Sequence, residues 1–170
     1  MFFESELEDI LDTFEPLKFG SRKYIFVPIN DKEDKFQAVG GSHWALLLYV
    51  VKGEYFIYFD SSSGVISSSY DIAMKVYSVA HETTEPVDKK TLRIVHYKNS
   101  PKQANNYDCG MYTILLTESL AKWLAVDKKP LEDKPEEFED LKPSFVTKKR
   151  KELYELVNDL AVKKGKEKGI

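Results

Sequence analysis

The chain has 170 residues, of which 42% are hydrophobic and 31% charged, and its formal net charge is −3. This size suits one domain with its own hydrophobic core, and the slight acidic balance gives no reason to expect nucleic acid as a partner. A single cysteine excludes an internal disulfide and, with three histidines, gives no zinc-binding spacing. We therefore expect no metal and no cofactor.

The apolar segments and the first residues bear on where the protein works. No apolar run approaches the ~18 residues of a membrane helix. The start, Met1-Phe2-Phe3-Glu4, lacks the charged-then-apolar pattern of a signal peptide. These features predict a cytosolic or nuclear protein without membrane contact, in a reducing compartment that suits a free thiol. We expect it to act as a monomer.

The first part of the chain predicts a helix followed by an edge strand. Residues 5–8 fit a helix-start capping box, and the apolar residues after them share one helical face. Pro16 and Gly20 end that element. Residues 23–29 are rich in strand formers, and Pro28 near the end of this run favours an edge position.

A hairpin is predicted next. Residues 30–41 form a polar loop, and residues 43–51 are so apolar that they predict a buried strand. A tight turn at residues 52–53 then leads into a returning strand at residues 55–59. The ends of this hairpin place residues 43 and 60 at the same edge.

The second half predicts a strand between helices. Residues 71–81 and 109–125 have helical apolar spacing, and residues 91–97 alternate as a strand does. Residues 127–143 are acidic and proline-containing, which predicts a surface loop. Residues 151–162 predict a last helix, whose core-facing residues would be Leu153, Leu156, Val157 and Leu160.

Cys109, the only cysteine, stands where a polar loop becomes a helix. A thiol at a helix start faces unpaired backbone N–H groups and the positive end of the helix dipole, which favour the thiolate. Gly110 beside it lets the backbone approach a substrate. A lone cysteine is also commonly a small buried hydrophobic residue, so position alone leaves both interpretations open.

The sequence also offers the other groups that a cysteine nucleophile needs, which are a base, a group that orients the base and donors for the oxyanion. His43 begins the buried strand and Asp60 ends the next one, so their side chains can meet at one edge of the hairpin. An aspartate that accepts from one imidazole nitrogen leaves the other for the sulfur. Gln103, together with the backbone N–H of Cys109, would donate to the oxyanion.

Each of these residues has a more common role. A histidine such as His43 is often satisfied by backbone, and Asp60 before three serines suits a turn. Gln103 also fits ordinary loop polarity, and Asp108 fits a residue that orients loop backbone. Trp44 is of a type more often found in a core, although its neighbour favours a position over a substrate channel.

Three motifs together resemble the ubiquitin-like-protein protease family, whose members remove small ubiquitin-like modifiers from precursors and conjugates. They are Gly-Ser-His-Trp at residues 41–44, Tyr-Phe-Asp-Ser at residues 58–61, and Gln103 followed by Asp-Cys-Gly-Met-Tyr at residues 108–112. Their order and spacing are specific in combination. The branch that the chain is most similar to is the deneddylase, a sentrin-specific protease relative that acts on the Nedd/Rub modifier. That likeness rests on residues 14–17, 29–31, 40–41, 105–109 and 147–150.

The resemblance implies a papain-like α+β fold with a short mixed sheet packed on the helix that starts at Cys109. It implies a catalytic triad of His43, Asp60 and Cys109, with Gln103 as oxyanion donor. Trp44 would cover a narrow channel for a Gly-Gly tail. Three further residues are expected to contribute to substrate binding, namely Gly40, Gly41 and Asp108.

The chain departs from the family in one respect, because its only tryptophans are Trp44 and Trp123 and it has no Trp-Leu-Asn-Asp motif. We expect one protease domain, residues 1–170, without that upstream segment and with weaker docking of the modifier. The expected reaction is hydrolysis of a peptide or isopeptide bond after Gly-Gly, most readily on a Nedd/Rub modifier. The alternatives are a SUMO-type protease, a modifier-binding pseudo-protease, and an acetyltransferase that uses the same order of residues.

Overall fold

A four-stranded mixed sheet carries the site in the computed structural model, which describes residues 7–32, 41–62, 64–126, 138 and 140–167, with side chains to residue 164. The strands lie in chain order, β1-β2-β3-β4, with antiparallel pairs except for the parallel pair β3–β4. The elements are α1 (Leu7–Phe14), β1 (Tyr24–Asn30), β2 (Trp44–Val50), β3 (Tyr55–Phe59), α2 (Ser69–Ala80), β4 (Arg93–His96), α3 (Cys109–Ala125) and α4 (Pro143–Glu167). The predicted mixed sheet is confirmed.

Both faces of the sheet are covered, which explains why β2 is apolar throughout. Leu46 and Leu48 belong to a core shared with α3 and α4, whereas Leu47 and Tyr49 belong to a core shared with α2. Alternate side chains of a strand point to opposite faces, so a strand buried on both faces shows no polar alternation. The predicted buried strand is confirmed.

Strand β1 lies at the edge of the sheet, as Pro28 predicted. Pro28 pairs in register with Leu46 of β2, and an edge strand tolerates a residue that cannot donate a backbone hydrogen bond. The turn between β2 and β3 is a 3₁₀ turn, Val51–Gly53, followed by Glu54 with φ 51°. This turn pairs Val50 with Tyr55 and so brings the start of β2 beside the end of β3.

Helix α3 has the bounds that the sequence predicted. Its inward face is almost fully buried, including Tyr112, Leu116 and Leu120 against the sheet. Ile114, which also lies in the apolar run, is instead 51% exposed. An apolar residue on the outward side of this helix therefore faces a surface rather than the core.

The prediction for the last helix was wrong in its extent and in its buried face. Helix α4 begins at Pro143 and runs to Glu167. Val146 is fully buried and Leu153 is half-buried, but every described side chain from residue 154 to 164 is exposed. The predicted core residues Leu156, Val157 and Leu160 are thus on the surface, because α4 extends past the elements that it packs on.

The segment before α4 also differs from its prediction as surface loop. Of residues 127–143, the structure describes residue 138 and residues 140–143. Phe138 and Leu141 are 2% and 5% exposed, and the Phe138 ring lies edge-on to Phe59 at 6.2 Å between centroids. These two apolar residues therefore close the core on the α3 side. Residues 127–137 and 139 lie outside the described residues.

Candidate active site

His43 and Asp60 meet at the open end of the hairpin. The His43 Nε2 lies 2.8 Å from the Asp60 Oδ1, and both side chains are largely buried, at 18% and 7% exposed. Asp60 is itself fixed, because the Tyr58 hydroxyl donates to Oδ2 at 3.0 Å and the Ser62 backbone N–H donates to Oδ1 at 2.6 Å. With Nε2 engaged, the imidazole retains Nδ1 for proton transfer.

Cys109 is the first residue of α3 and is 5% exposed. Its Sγ lies 4.0 Å from the Ser42 carbonyl oxygen, directly before His43 in the chain. The thiol of the helix start and the histidine of the strand start therefore share one corner of the molecule. The helix places the sulfur beside backbone N–H groups that have no acceptor within the helix.

A surface cleft opens beside this corner. It has a volume of about 570 Å³ and is lined by Trp44, Tyr107, Cys109, Gly110 and Ile114, among others. The Trp44 indole lies over Gly110, where an added Cβ would meet the ring at 3.6 Å. Trp44 and Ile114 are 44% and 51% exposed, so the cleft has apolar walls open to solvent. Cys109 therefore lies on the wall of this cleft.

The amide of Gln103 has a defined orientation. The Ser61 hydroxyl donates to its Oε1 at 2.6 Å, and its Nε2 donates to the Asn105 carbonyl at 2.6 Å. A backbone carbonyl only accepts, so the atom beside Asn105 must be the nitrogen. The backbone N–H of Gln103 also donates to the Ser61 carbonyl at 2.9 Å. One N–H of the Gln103 amide remains for a further acceptor.

The chain just before His43 is held by Asp31. Its Oδ1 accepts from the backbone N–H groups of Ser42 and His43 at 2.6 and 2.9 Å, and its Oδ2 accepts from the Ser42 hydroxyl at 2.7 Å. Burial raises the pKa of Asp31, but these hydrogen bonds outweigh it and leave the pKa below its usual value. The Asn30 amide adds a bond to the His43 carbonyl at 2.9 Å.

The two glycines predicted to bind substrate precede this segment. Gly41 has φ 80°, in the left-handed region, and a Cβ at Gly41 would lie 1.9 Å from the Asn30 Oδ1. This position therefore requires glycine for the close approach to Asn30. Gly40 lies outside the described residues.

Asp108 is almost fully buried and is engaged on both oxygens. Its Oδ2 accepts from the Asn105 amide at 2.7 Å, and its Oδ1 accepts from Arg150 of α4, with the Arg150 Nε at 3.0 Å. Burial raises the pKa of Asp108, but Asn105 and Arg150 outweigh it and leave the pKa below its usual value. This geometry suits the interpretation that Asp108 orients its loop, rather than the expectation that it contacts substrate.

Several residues that position the site carry no catalytic signal in the sequence. Asn30, Asp31 and Arg150 belong to the motifs of the family resemblance, which imply no role for them. An aspartate or asparagine just after a strand and before a glycine-containing loop is a usable signal, because these side chains accept from nearby backbone N–H groups. Arg150 gives no local signal. The residues missed in this way are Asn30, Asp31, Tyr58, Ser61 and Arg150.

The arrangement suits acyl transfer through a covalent thioester. It combines a thiol at a helix start, an imidazole fixed by a carboxylate, and the unpaired backbone N–H groups of the helix start beside the sulfur. Among the described residues there is no group of three or more side chains placed to hold a metal ion. None of the helices in the described ranges combines the length and the apolar character that crossing a membrane requires.

Comparison with known proteins bears on this arrangement. The family model described as the Ulp1 protease family, C-terminal catalytic domain, matches residues 12–161. The mouse protein "Sentrin-specific protease 8" is 36% identical over 151 residues, which cover 88% of this chain and 62% of that protein. "NEDD8-specific protease 1" of Arabidopsis thaliana is 27% identical over 71% of this chain and 50% of its own length. The chain thus spans less than two thirds of the length of these relatives.

Solved structures show the same fold. A structure titled as the SUMO protease Ulp1 with its catalytic cysteine oxidized to a sulfonic acid has a TM-score of 0.51 at 24% identity. The match covers 77% of this chain and 55% of the chain in that structure. A structure titled as a de-sumoylating protease has a TM-score of 0.56 at 16% identity, covering 99% of this chain and 72% of its own. The predicted fold class is confirmed.

Proposed function

The chain belongs to the Ulp1 protease family, and from this we propose that it is a cysteine protease specific for a ubiquitin-like modifier. The reaction is hydrolysis of the peptide or isopeptide bond after the modifier's C-terminal Gly-Gly. The observation that carries the proposal is the contact between His43 and Asp60 at 2.8 Å, beside the thiol of Cys109 at the start of α3.

The first half-reaction forms a thioester. The Cys109 sulfur attacks the carbonyl carbon of the terminal glycine while its proton passes to the His43 Nδ1, and the carbonyl π electrons move to the oxygen. The backbone N–H of Cys109 and the Gln103 amide donate to this oxyanion. When the tetrahedral intermediate collapses, the C–N bond breaks and His43 gives its proton to the leaving amine.

The second half-reaction returns the enzyme. Water attacks the thioester carbonyl while the His43 Nδ1 takes its proton. The C–S bond breaks when the second tetrahedral intermediate collapses, and His43 returns the proton to the Cys109 sulfur as the modifier's carboxyl group is released. Asp60 accepts from the His43 Nε2–H throughout, which holds the ring and stabilises the imidazolium that forms twice per cycle. No other reactant than water is needed.

The cleft supports a Gly-Gly specificity. Trp44 lies over Gly110 next to Cys109, and its half-exposed indole forms a flat wall of the cleft beside the sulfur. Glycine residues can lie close against such a wall because they lack a Cβ.

We propose NEDD8 as the modifier. The support is the names of the relatives, which include NEDD8-specific proteases of Arabidopsis thaliana and Schizosaccharomyces pombe at 27% to 32% identity. The SUMO-directed structures share the fold at 24% identity or less, which carries no argument about the modifier. A SUMO-type modifier is the alternative that the test must separate.

The test uses NEDD8, SUMO and ubiquitin, each with an electrophile in place of the terminal carboxylate. We expect a covalent adduct with the NEDD8 probe, read by the mass of the intact protein, and none from a Cys109→Ala variant. An adduct that forms fastest with the SUMO probe would overturn the assignment of NEDD8 as the modifier, but it would still support the protease activity. Binding to the probes without an adduct would show a pseudo-protease.

A further inference from the structure

Asp108 occupies the N-cap position of α3 without capping the helix. Aspartate is a preferred N-cap residue because its carboxylate accepts from the backbone N–H groups of the first turn. Here Asp108 makes no such bond, although its backbone carbonyl accepts from the Tyr112 N–H at 2.9 Å in the ordinary way. The carboxylate is therefore turned away from the end of α3 that holds Cys109.

Two side chains account for this orientation. The Asn105 amide N–H donates to one carboxylate oxygen of Asp108 at 2.7 Å, and two nitrogens of the Arg150 guanidinium donate to the other oxygen. Arg150 also donates to the Tyr107 carbonyl at 3.1 Å, and its guanidinium carbon lies 5.7 Å from the centre of the Tyr107 ring. Asp108 is 3% exposed and Arg150 is 45% exposed, so a helix 42 residues later in the chain reaches over the loop from outside.

A carboxylate that capped α3 would act against the nucleophile in two ways. It would bring the negative charge of Asp108 closer to the Cys109 sulfur, and a nearby negative charge disfavours the thiolate. It would also take N–H groups at the same helix end that supplies the oxyanion donor. Among the described residues, the titratable groups around this end are His43 just before β2, Asp108 from the loop and Arg150 from α4.

We propose that Arg150 is a positioning residue for the nucleophile, which keeps the Asp108 carboxylate off the N-terminus of α3. Its positive charge compensates the carboxylate, and its hydrogen bonds hold the loop through Asp108 and Tyr107. This role rests on the proposed function, in which Cys109 is the nucleophile. It gives α4 a part in the site that its exposed second half does not suggest.

The test measures alkylation of the only cysteine by iodoacetamide as a function of pH, which needs no modifier substrate. We expect Arg150→Ala to lower the rate at pH 7 about tenfold and to move the midpoint of the profile to higher pH. Arg150→Lys keeps the charge without the paired bonds, so it should fall between. The matched control is Lys151→Ala, which removes a neighbouring cation that is 79% exposed.

A second variant separates positioning from structural support. Adding Asp108→Asn to Arg150→Ala removes the competing charge, so the alkylation rate should return to within about threefold of the wild-type rate. If Arg150 only supported the fold, this second change would remove one more buried contact and the rate would stay low or fall further. Thermal unfolding of each variant shows whether it is folded at the assay temperature.

The outcomes also separate this proposal from the proposed function. Rescue by the double variant supports the role of Arg150, whatever the modifier probes do. A wild-type chain that reacts with no modifier probe but shows the rescue would overturn the proposed function alone. Unchanged alkylation in Arg150→Ala, or no rescue in a folded double variant, would overturn the role of Arg150.

Discussion

The two loops that deliver the catalytic groups use an aspartate in opposite ways. Before His43, the Asp31 carboxylate accepts from backbone N–H groups of the segment that it holds. Before Cys109, the Asp108 carboxylate accepts from Asn105 and Arg150 and from no N–H of the helix that follows. We call these the base loop, residues 30–31 and 41–43, and the nucleophile loop, residues 103–108.

The difference follows from what each loop delivers. The base loop only has to place an imidazole, so its backbone N–H groups can be used to fix the chain. The nucleophile loop leads into a helix end whose N–H groups serve the chemistry, so its carboxylate must be held by side chains instead. Both loops can therefore be held rigidly, while the backbone N–H groups at the start of α3 stay free to donate to the substrate.

The largest effect is expected from Cys109→Ala, which removes the thiol that the nucleophile loop positions. Without the sulfur there is no covalent step, so the variant should form no adduct with any modifier probe and show no turnover. The fold should persist, because the change removes one small buried group, and Tm should move by only about 2–4 °C. A variant that kept wild-type turnover would contradict the assignment of Cys109.

The next largest loss of activity is expected from changes at Asp60, which orients the base His43. Asp60→Ala removes the acceptor for the His43 ring, and kcat should fall on the order of 10²-fold or more. Asp60→Asn should lose less, because an amide oxygen can still accept the imidazole N–H and the Tyr58 hydroxyl can turn to accept from the amide. The measurement is kcat on a modifier substrate. Equal small losses in both variants would show that Asp60 is only a turn residue.

A smaller effect is expected from Asp31, which holds the base loop without touching the reacting atoms. Asp31→Ala removes three accepted hydrogen bonds, so we expect kcat/KM to fall about tenfold through misplacement of His43. Tm should also fall, since each lost bond contributes about 1 kcal/mol. Asp71→Ala is the control. Asp71 lies on α2, and the change removes only its exposed ion pair with Lys89. An Asp31→Ala variant with wild-type kcat/KM would contradict a positioning role for the base loop.

The sequence predicted the parts of this site that depend on local pattern. The bounds of α3 follow from an unbroken apolar period, and the meeting of His43 with Asp60 follows from the register of one hairpin. Arg150 could not be predicted in the same way, because its contact with Asp108 depends on how α4 packs across 42 residues of chain. The exposed Leu156 shows the same limit, since periodicity gives an apolar face but not what covers it.

The smallest effect concerns acid, and it is common to both loops. Asp31 and Asp108 have pKa values below the 3.8 of an unperturbed aspartate, so near and below this pH the folded state binds fewer protons than the unfolded state. The free energy of unfolding should therefore fall as pH drops through this window, and the contribution of these carboxylates should be constant above about pH 5. Urea denaturation at pH 5 and at pH 3 measures the change.

An Asp31→Asn variant isolates the share of the base loop. At pH 5 it should be less stable than the wild type, because the amide has one acceptor oxygen for the three donors that the carboxylate serves. At pH 3 the difference should shrink, since protonation of Asp31 in the unfolded chain then lowers the free energy of unfolding of the wild type but not of the variant. Asp71→Asn, on the exposed face of α2, should show a smaller difference at both pH values. If the gap between Asp31→Asn and wild type were equal at pH 5 and pH 3, the charge of Asp31 would not be what holds the base loop.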